Sequence, residues 1–480
     1  MTTRTAQLTL LLTLAVVSEG IYFAIAAVDN LRNHVPMFLI SYAILFALYL
    51  TAARRYFGFG HAARNAEPLS AKEILLFGIA FGVIFRITLL MSTPALSEDI
   101  YRYIWDGKIA NQGFNPFHYP PNAEELSSFR DTEIYPQINH KEIPTIYPPG
   151  SQLLFQGLYR IHPSLRLFKA AFVAFDLLTI WMLYLLLQEV GSHVTRLLIY
   201  VWNPLVIVEI AGNGHADILA IFFAMVSFYL LFKKHSLRAT TTLALSFLCK
   251  FFALLILPIL TFAKKDRKLL VLLLFALLIV LFYLPYADAG ENLFRGLWVY
   301  GNKWEFNDSI FAIILSAVKA LLPKSWIIHF MIKPYGYSPD DPTTLATRGL
   351  DLALIISKVI AAVILAGILI YFLKRVKTDF QREGNHWIAK LGLIFFGTLF
   401  LLSPTVQPWY LCWLVPFITL VPNRAFLLLT GLVGLSYWIL TDYSSSGVWQ
   451  ESLWVKLLEY LPFYALLLYD GWKHKMQKAN

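Results

Sequence analysis

Charged side chains and cysteines are both scarce in this chain of 480 residues. Asp, Glu, Lys and Arg make up only 15% of it, against about 25% in soluble globular proteins. The two cysteines, Cys249 and Cys412, lie in apolar stretches and form no Cys-x-x-Cys motif. The first shortage argues against a soluble globular protein, and the second argues against a disulfide framework or a zinc site.

The chain is instead rich in apolar and aromatic residues. Hydrophobic residues make up 58% of the chain and aromatic residues 16%, as expected where Trp and Tyr anchor helices at bilayer interfaces. The net charge of +10 falls in short basic clusters between apolar runs, which is typical of cytoplasmic loops. The sequence therefore predicts an integral membrane protein surrounded by membrane lipids, with no nucleic-acid partner.

The apolar runs predict an all-α fold, a polytopic helical bundle of about 12 transmembrane helices with re-entrant and interfacial helices. The predicted spans are 8–28, 36–52, 74–92, 167–188, 195–211, 216–232, 267–286, 349–373, 388–403, 409–421, 425–441 and 453–470. The first run is long enough to span, so we interpret it as a retained helix and not as a signal peptide. The segment 151–161 is predicted as an interfacial helix.

Lys and Arg in the short loops predict the orientation in the membrane. The residues predicted to be cytoplasmic are Arg54, Arg55, Arg64, Lys72, Lys233, Lys234, Arg238, the cluster 264–268, Lys374, Arg375, Lys377, Lys473, Lys475 and Lys478. The long loop 93–166 then lies outside. Two segments, 239–262 with Lys250 at its middle and 309–323, have both ends on one side. They are predicted to be re-entrant segments, which enter the membrane and return to the same side, and to line a cavity. The alternative is that the chain simply has an odd number of membrane spans.

The first outer loop begins with a predicted helix of about fifteen residues, delimited by Ser97 as N-cap and Gly113 as stop signal. Asp99, Arg102 and Asp106 share one face of this helix. A carboxylate held near a cation at the mouth of a membrane cavity suits a general base. The alternative is structural: acidic residues favour helix N-termini, and Arg102 pairs with Asp99.

Further polar and aromatic candidates are predicted on the same outer face. The short turn 213–217 between two spans brings His215 and Asp217 together. The other candidates are Tyr103, Trp304, Asn307, Gln407, Trp409 and Tyr410. Ordinary interfacial anchoring is the alternative for the aromatic members. Lys250, Arg102 and His215 suit a lipid phosphate, and aromatic rings suit a stacked sugar.

Inside the spans, a charged residue raises the free energy of membrane insertion, so such residues are expected to face one another or a cavity. Glu19 and Asp176 are predicted as internal partners for residues such as Arg86 and Lys169.

Several of these segments resemble GT-C-fold glycosyltransferases. The segments that carry the resemblance are 97–107 with 113–117, 147–149, Asn203-Pro204 with Glu209 and His215-x-Asp217, Lys250 with Pro258, and 407–416. Among these enzymes the chain resembles bacterial polyprenol-phosphate-mannose-dependent mannosyltransferases, and more faintly the first mannosyltransferase of GPI-anchor synthesis. The resemblance extends over about 73–422.

The resemblance implies inverting transfer of a sugar, expected to be mannose, from a polyprenyl-phosphate donor to a lipid or glycan acceptor. The reaction is expected on the periplasmic face of a bacterial inner membrane. The family's base is an acidic residue of the first outer loop, which maps to Asp99, with Glu98 and Asp106 as the other candidates. Glu98-Asp99 stands where some members carry Asp-x-Asp. No cofactor and no metal ligand are expected, but this departure leaves the metal requirement open.

The predicted organisation has three parts: two N-terminal transmembrane helices in 1–72, a GT-C-like catalytic module in 73–422, and C-terminal transmembrane helices in 423–480. A multi-pass transporter or lipid flippase is the alternative function, and it would show two related halves with matching broken helices. The sequence shows no such symmetry. A membrane scaffold without chemistry is the third hypothesis, and it leaves the polar face of the outer-loop helix unexplained.

Overall fold

The computed structural model describes residues 3–59, 69–263, 267–338 and 340–479, and the regular structure in these ranges is helical. The α-helices are α1 Thr3–Ala26, α2 Val35–Arg55, α3 Ala71–Leu90, α4 Asp99–Asn111, α5 Pro149–Ile161, α6 Leu165–Glu189, α7 Leu197–Val201, α8 Pro204–Val206, α9 Asp217–Phe232, α10 Ser236–Cys249, α11 Leu257–Ala263, α12 Lys268–Tyr283, α13 Arg295–Lys303, α14 Ile310–Leu321, α15 Lys324–Ile327, α16 Pro342–Lys374, α17 Val376–Glu383, α18 Asn385–Leu402, α19 Val415–Leu420, α20 Arg424–Leu432, α21 Ile439–Ser446 and α22 Leu453–Ala479. The predicted all-α fold is confirmed. Arg64, the segment 264–266 and the side chains of Lys377 and Lys478 lie outside the described residues.

Within the described ranges, eight helices are long and apolar enough to cross a membrane. They are Arg4–Ala26, Leu31–Arg55, Ala71–Leu90, Leu165–Glu189, Lys268–Asn302, Pro342–Lys374, Asn385–Leu402 and Arg424–Ser446. Two bent pairs raise the number to ten: Val194–Val201 with Pro204–Gly212, bent by 47°, and Ile310–Leu321 with Lys324–Tyr335, bent by 96°. The chain is therefore a polytopic integral membrane protein.

The predicted number of about 12 spans is not reached, because the predicted spans 216–232, 409–421 and 453–470 are not among the candidate spans of the described residues. Asp217–Phe232 and Pro408–Leu420 are apolar but too short to count as full spans by themselves. The second predicted re-entrant segment, 309–323, coincides with the first helix of the pair Ile310–Leu321 and Lys324–Tyr335, which is bent by 96°.

The predicted hairpin around Lys250 has the backbone break that it requires. Helix α10 ends at Cys249, and Lys250 is extended, with φ −156° and ψ 131°. The following 3-10 segment, Phe251–Ile256, packs back against α10. The Ser151 hydroxyl of α5 donates a hydrogen bond to the Cys249 carbonyl at 3.0 Å, which connects the outer loop to the tip of this hairpin.

The loop 93–166, predicted to lie outside, is a packed unit built on α4 and α5. The two helices cross at Gly107, where a Cβ atom would lie 2.4 Å from the Phe155 carbonyl oxygen. The Ser97 hydroxyl accepts the Asp99 N–H at 3.3 Å, and Gly113 follows the helix with φ +83°. Gly113 follows the end of the helix as predicted, whereas the N-cap position is Glu98 and not Ser97, and α4 is 13 residues long and not about fifteen. This packing fixes the position of α4, whose first residue is Asp99.

A buried ion pair connects α3 to α6 in the bundle interior. Arg86 donates from Nε to Asp176 Oδ2 at 2.6 Å, and both side chains are fully buried. Tyr200 donates to the other Asp176 oxygen at 2.7 Å. The prediction that Asp176 pairs with Arg86 is therefore confirmed. The predicted partnerships of Glu19 and Lys169 are wrong: Glu19 accepts from Thr88, and the Lys169 ammonium group donates to the Leu89 and Ser92 carbonyls.

Replacing Arg86 by methionine is expected to lower the free energy of unfolding by about 3–5 kcal/mol, because it leaves the Asp176 carboxylate buried without its cation. Thermal unfolding of the purified protein in detergent measures the change. The matched control is Arg348→Met, since the Arg348 and Asp351 side chains are 34% and 41% exposed and their pairing is expected to contribute less than about 1 kcal/mol. Equal effects of the two substitutions would contradict the prediction.

Candidate active site

Asp99, at the first position of α4, lies among groups that can hold or receive a proton. The Tyr103 hydroxyl is 3.5 Å from Asp99 Oδ2, and the Tyr147 hydroxyl also hydrogen-bonds to this carboxylate. His215 Nδ1 is 3.7 Å from the same Oδ2 atom. The Asp99 side chain remains 21% exposed. It is therefore both held in place and reachable.

Burial raises the pKa of the Asp99 carboxyl group above its ordinary value. The positive charges of His215 and Lys250 oppose this effect and lower the pKa, while the negative charge of Asp217 raises it further. A carboxylate with a raised pKa is a stronger base than an exposed one. Asp99 is thus suited to removing a proton from a hydroxyl group.

The turn that carries His215 is fixed by close packing. Gly214 has φ +74°, and a Cβ atom there would lie 2.6 Å from Ile100 Cδ1 of α4. The His215 ring is fully buried and stacks on the Trp409 ring, with centroids 4.0 Å apart and planes inclined by 16°. His215 Nε2 lies 3.3 Å from Glu209 Oε2. The imidazole therefore stands between two carboxylates, Asp99 and Glu209.

Lys250 and Asp217 form the second half of the cluster. Lys250 Nζ lies 3.0 Å from Asp217 Oδ2, and Trp413 donates from its indole N–H to the other oxygen at 3.1 Å. The ammonium group also lies over the Tyr410 ring, 5.0 Å from its centroid. An ammonium group has three donors. Asp217 therefore orients the Lys250 side chain, and the remaining N–H donors of the ammonium group can bind a further anion.

The other two outer-loop carboxylates have different surroundings. Asp106 is fully buried and accepts from Arg102 Nε at 2.7 Å and from Gln152 at 3.0 Å. Arg102 also donates to the Ile143 carbonyl at 3.0 Å. Glu98 pairs with Arg32 of the loop between α1 and α2. The alternative pairing of Arg102 with Asp99 is therefore wrong, since Arg102 pairs with Asp106. The roles of Asp106, Arg102 and Glu98 in catalysis or phosphate binding stay predictions.

The remaining predicted residues belong to two segments that the structure brings together. Phe306 and Thr405 form an isolated parallel bridge, so the segment with Trp304 and Asn307 lies beside the segment with Gln407. The Trp304 carbonyl accepts from Thr405 at 2.8 Å. The Asn307 amide donates to both Glu459 oxygens of α22, at 3.0 and 3.1 Å. These contacts occupy the Asn307 amide, and sugar binding by Trp304, Asn307 and Gln407 stays a prediction.

Sequence reasoning missed several residues of the cluster. Tyr147 belongs to a segment that carries the family resemblance but is not among the predicted site residues, and its ring packs against Tyr103 with centroids 4.8 Å apart. Tyr300 hydrogen-bonds through its hydroxyl to that of Tyr410. Tyr437 lies in an apolar run where nothing distinguishes it from a lipid-facing aromatic residue, and Trp413 lies in the segment 407–416 that carries the family resemblance. The signals available in the sequence were the segments 147–149 and 407–416, which contain Tyr147 and Trp413 and carry the family resemblance.

The cluster combines a carboxyl group with a raised pKa, a cation and several aromatic rings, and the side chains of Asp99 and Lys250 are partly exposed. Such a set can deprotonate a hydroxyl at Asp99 and stabilise a leaving anion at Lys250. Within the described ranges, no group of three or more His, Cys, Asp or Glu side chains could hold a metal ion. The metal requirement stays a prediction.

Two family models match the chain. The one described as "Alpha-(1->6)-mannopyranosyltransferase, N-terminal domain" matches residues 14–265, which is more than half of the chain. The one described as "MptB C-terminal domain" matches residues 344–467. The first match contains Asp99, His215 and Lys250, and the second contains Trp409 and Tyr410. No curated protein and no solved structure matches the chain.

Proposed function

The chain belongs to the alpha-(1->6)-mannopyranosyltransferase family and is a membrane glycosyltransferase, and from this premise we propose that it transfers mannose from a polyprenyl-phosphate donor to a lipid or glycan acceptor. The proposed reaction takes place on the outer, periplasmic face of a bacterial inner membrane and inverts the anomeric centre. The observation that carries this proposal is the convergence of Asp99, His215, Asp217 and Lys250 in one aromatic-walled cluster.

In the proposed step, Asp99 removes the proton of the acceptor hydroxyl while its oxygen attacks the anomeric carbon. The bond between that carbon and the phosphate oxygen breaks, and its electron pair leaves with polyprenyl phosphate. The proton ends on the Asp99 carboxylate. Phosphate is a good leaving group and needs little protonation, so a cation can replace a general acid.

Lys250 is the proposed cation for the leaving phosphate. Its side chain is 16% exposed, and Asp217 and the Tyr410 ring hold the ammonium group in position. His215 is the second proposed contact. Arg102 is the third, and its Nη2 atom is buried without a hydrogen-bond partner among the described residues. Three donors from different elements would position the phosphate for in-line departure.

Inversion constrains the donor. An inverting enzyme that forms the α linkage of the family's name must start from the β-linked phosphate, because attack occurs opposite the leaving group. The acceptor atom proposed from the same name is a 6-hydroxyl, a primary and therefore accessible oxygen. Tyr103, Trp409 and Tyr410 are the proposed aromatic contacts for the two sugars.

The purified protein in lipid vesicles is expected to transfer labelled mannose from synthetic β-polyprenyl-phosphate-mannose, and not from the α anomer, to an extracted membrane acceptor. NMR of the product is expected to show a new α-linked mannose. The nucleotide sugar GDP-mannose without a lipid carrier is the matched negative control. Transfer from the α anomer would contradict inversion, and transfer from GDP-mannose would contradict the lipid donor.

A further inference from the structure

Lys250 differs from the other charged members of the cluster in the way that its backbone is held. Asp99 and Asp217 are the first residues of α4 and α9, and the turn with His215 follows the π-helical segment Ile207–Gly212. Lys250 instead lies where α10 has ended and the chain is extended, with φ −156° and ψ 131°. The last carbonyl groups of a helix have no intrahelical partner, and side chains of other elements can bind them.

The first turn of α5 contacts the end of α10 at two consecutive positions. The Ser151 hydroxyl donates to the Cys249 carbonyl at 3.0 Å, one residue before Lys250. At Gly150 the two backbones lie so close together that a Cβ atom would be 2.8 Å from the Leu248 carbonyl oxygen. Ser151 is buried, so the hydrogen bond is shielded from water. These contacts attach the tip of the hairpin to α5.

The same segment of the chain reaches the proposed base at its other end. The Tyr147 hydroxyl hydrogen-bonds to the Asp99 carboxylate. Pro148 and Pro149 follow, and a proline ring holds φ at about −65°. The observed φ of Pro148 is −63°. The segment 147–151 is therefore stiff, and it contacts the carboxylate at one end and the hairpin of the cation at the other.

We infer that Ser151 is a positioning residue that fixes Lys250 relative to Asp99. The close approach at Gly150 supports the same placement. This inference rests on the function proposed above, in which Asp99 removes the acceptor proton and Lys250 binds the leaving phosphate. Ser151 acts through the backbone of Cys249 and Lys250. Its placement matters because the attacking oxygen and the leaving phosphate must lie on opposite sides of the anomeric carbon when they react.

Ser151→Ala removes the hydroxyl group and adds no volume. The tip of the hairpin is expected to shift, so that Lys250 binds the donor phosphate less well. The KM for the lipid donor is expected to rise about fivefold, the equivalent of one neutral hydrogen bond, and the KM for the acceptor is expected to stay unchanged. Donor and acceptor titrations of mannosyl transfer in lipid vesicles measure the two values separately.

Ser227→Ala is the matched control, because it removes another buried serine hydroxyl that donates to a backbone carbonyl of α10. Ser227 of α9 donates to the Ala239 carbonyl at 2.8 Å, at the opposite end of α10 from Lys250. The control is expected to lower the thermal unfolding temperature as much as Ser151→Ala does and to leave the donor KM unchanged. An equal rise of the donor KM in both variants would indicate a general loosening and would overturn the inference.

Acetylation of Lys250 by acetic anhydride, followed by mass spectrometry, tests the placement without any transfer. In the wild type Asp217 holds the ammonium group at 3.0 Å, and the lysine side chain is only 16% exposed. The labelling rate of Lys250 is expected to rise about fivefold in Ser151→Ala and to stay unchanged in Ser227→Ala. A wild type that transfers no mannose would contradict only the proposed function, because the labelling still decides whether Ser151 holds Lys250 in place.

Gly150→Ala tests the same contact by adding an atom instead of removing one. The new Cβ atom would meet the Leu248 carbonyl group and push the hairpin away from α5. The donor KM and the labelling rate of Lys250 are both expected to rise further than in Ser151→Ala. An unchanged labelling rate or an unchanged donor KM in either variant would overturn the inference.

Discussion

Asp99→Asn is expected to lower the rate of mannosyl transfer about 1,000-fold, the range for loss of a general base. Asparagine keeps the shape of the side chain and cannot accept the proton of the acceptor hydroxyl. The partners of Asp99 are two tyrosines and His215, which tolerate an amide, so the protein is expected to fold. The rate is measured with the β-linked lipid donor at saturating concentration, at equal amounts of folded protein.

The matched control for Asp99→Asn is Asp288→Asn, the same chemical change at an exposed aspartate near the outer loop, where Asp288 accepts from Asn115. The control is expected to transfer at the wild-type rate. Unaltered transfer by Asp99→Asn would show that Asp99 is structural. Asp106 and Asp217 would then be the next carboxylates to replace.

Lys250→Gln is expected to raise the KM for the lipid donor about 100-fold, the equivalent of one lost charge-assisted hydrogen bond. The substitution also leaves Asp217 buried without its cation, because that side chain is only 1% exposed. A loss of about 3–5 kcal/mol in the free energy of unfolding is therefore expected as well. Donor titrations and thermal unfolding measure the two effects separately.

The double variant Lys250→Gln with Asp217→Asn separates the two consequences of losing Lys250. Without the buried charge of Asp217, most of the lost stability is expected to return. The KM for the donor is expected to stay high, because the phosphate still lacks its cation. A donor KM that returns with the stability would instead assign Lys250 a purely structural role.

Much of the fold follows from elementary patterning in the sequence. Long apolar runs predicted the spanning helices, and the basic residues on both flanks of 239–262 predicted the break at Lys250 that the structure contains. Sidedness alone placed Asp99, His215 and Asp217 in one compartment, and the structure brings these three together with Lys250. Charge in an apolar sequence is rare, and so its placement is informative.

The partner of each charged side chain was harder to predict. Helical spacing put Asp99, Arg102 and Asp106 on one face, but Gln152 of α5 also binds Asp106, and the α4–α5 contact decides where Arg102 points. Lys169 likewise finds backbone carbonyls at the end of α3, which no spacing in its own helix reveals. Contacts between distant segments set these pairings, and a single sequence without aligned relatives does not record them.

The π-helical segment Ile207–Gly212 has an evolutionary consequence for this family. A π turn contains one residue more than an α turn, and one residue corresponds to about 100° of rotation around the helix axis. Deleting a single residue there would restore regular α geometry and turn Glu209 away from His215 without changing either residue. Alignments of relatives are therefore expected to show no insertion or deletion within 207–212. A lineage that lost the extra residue is expected to have lost the Glu209–His215 pairing as well.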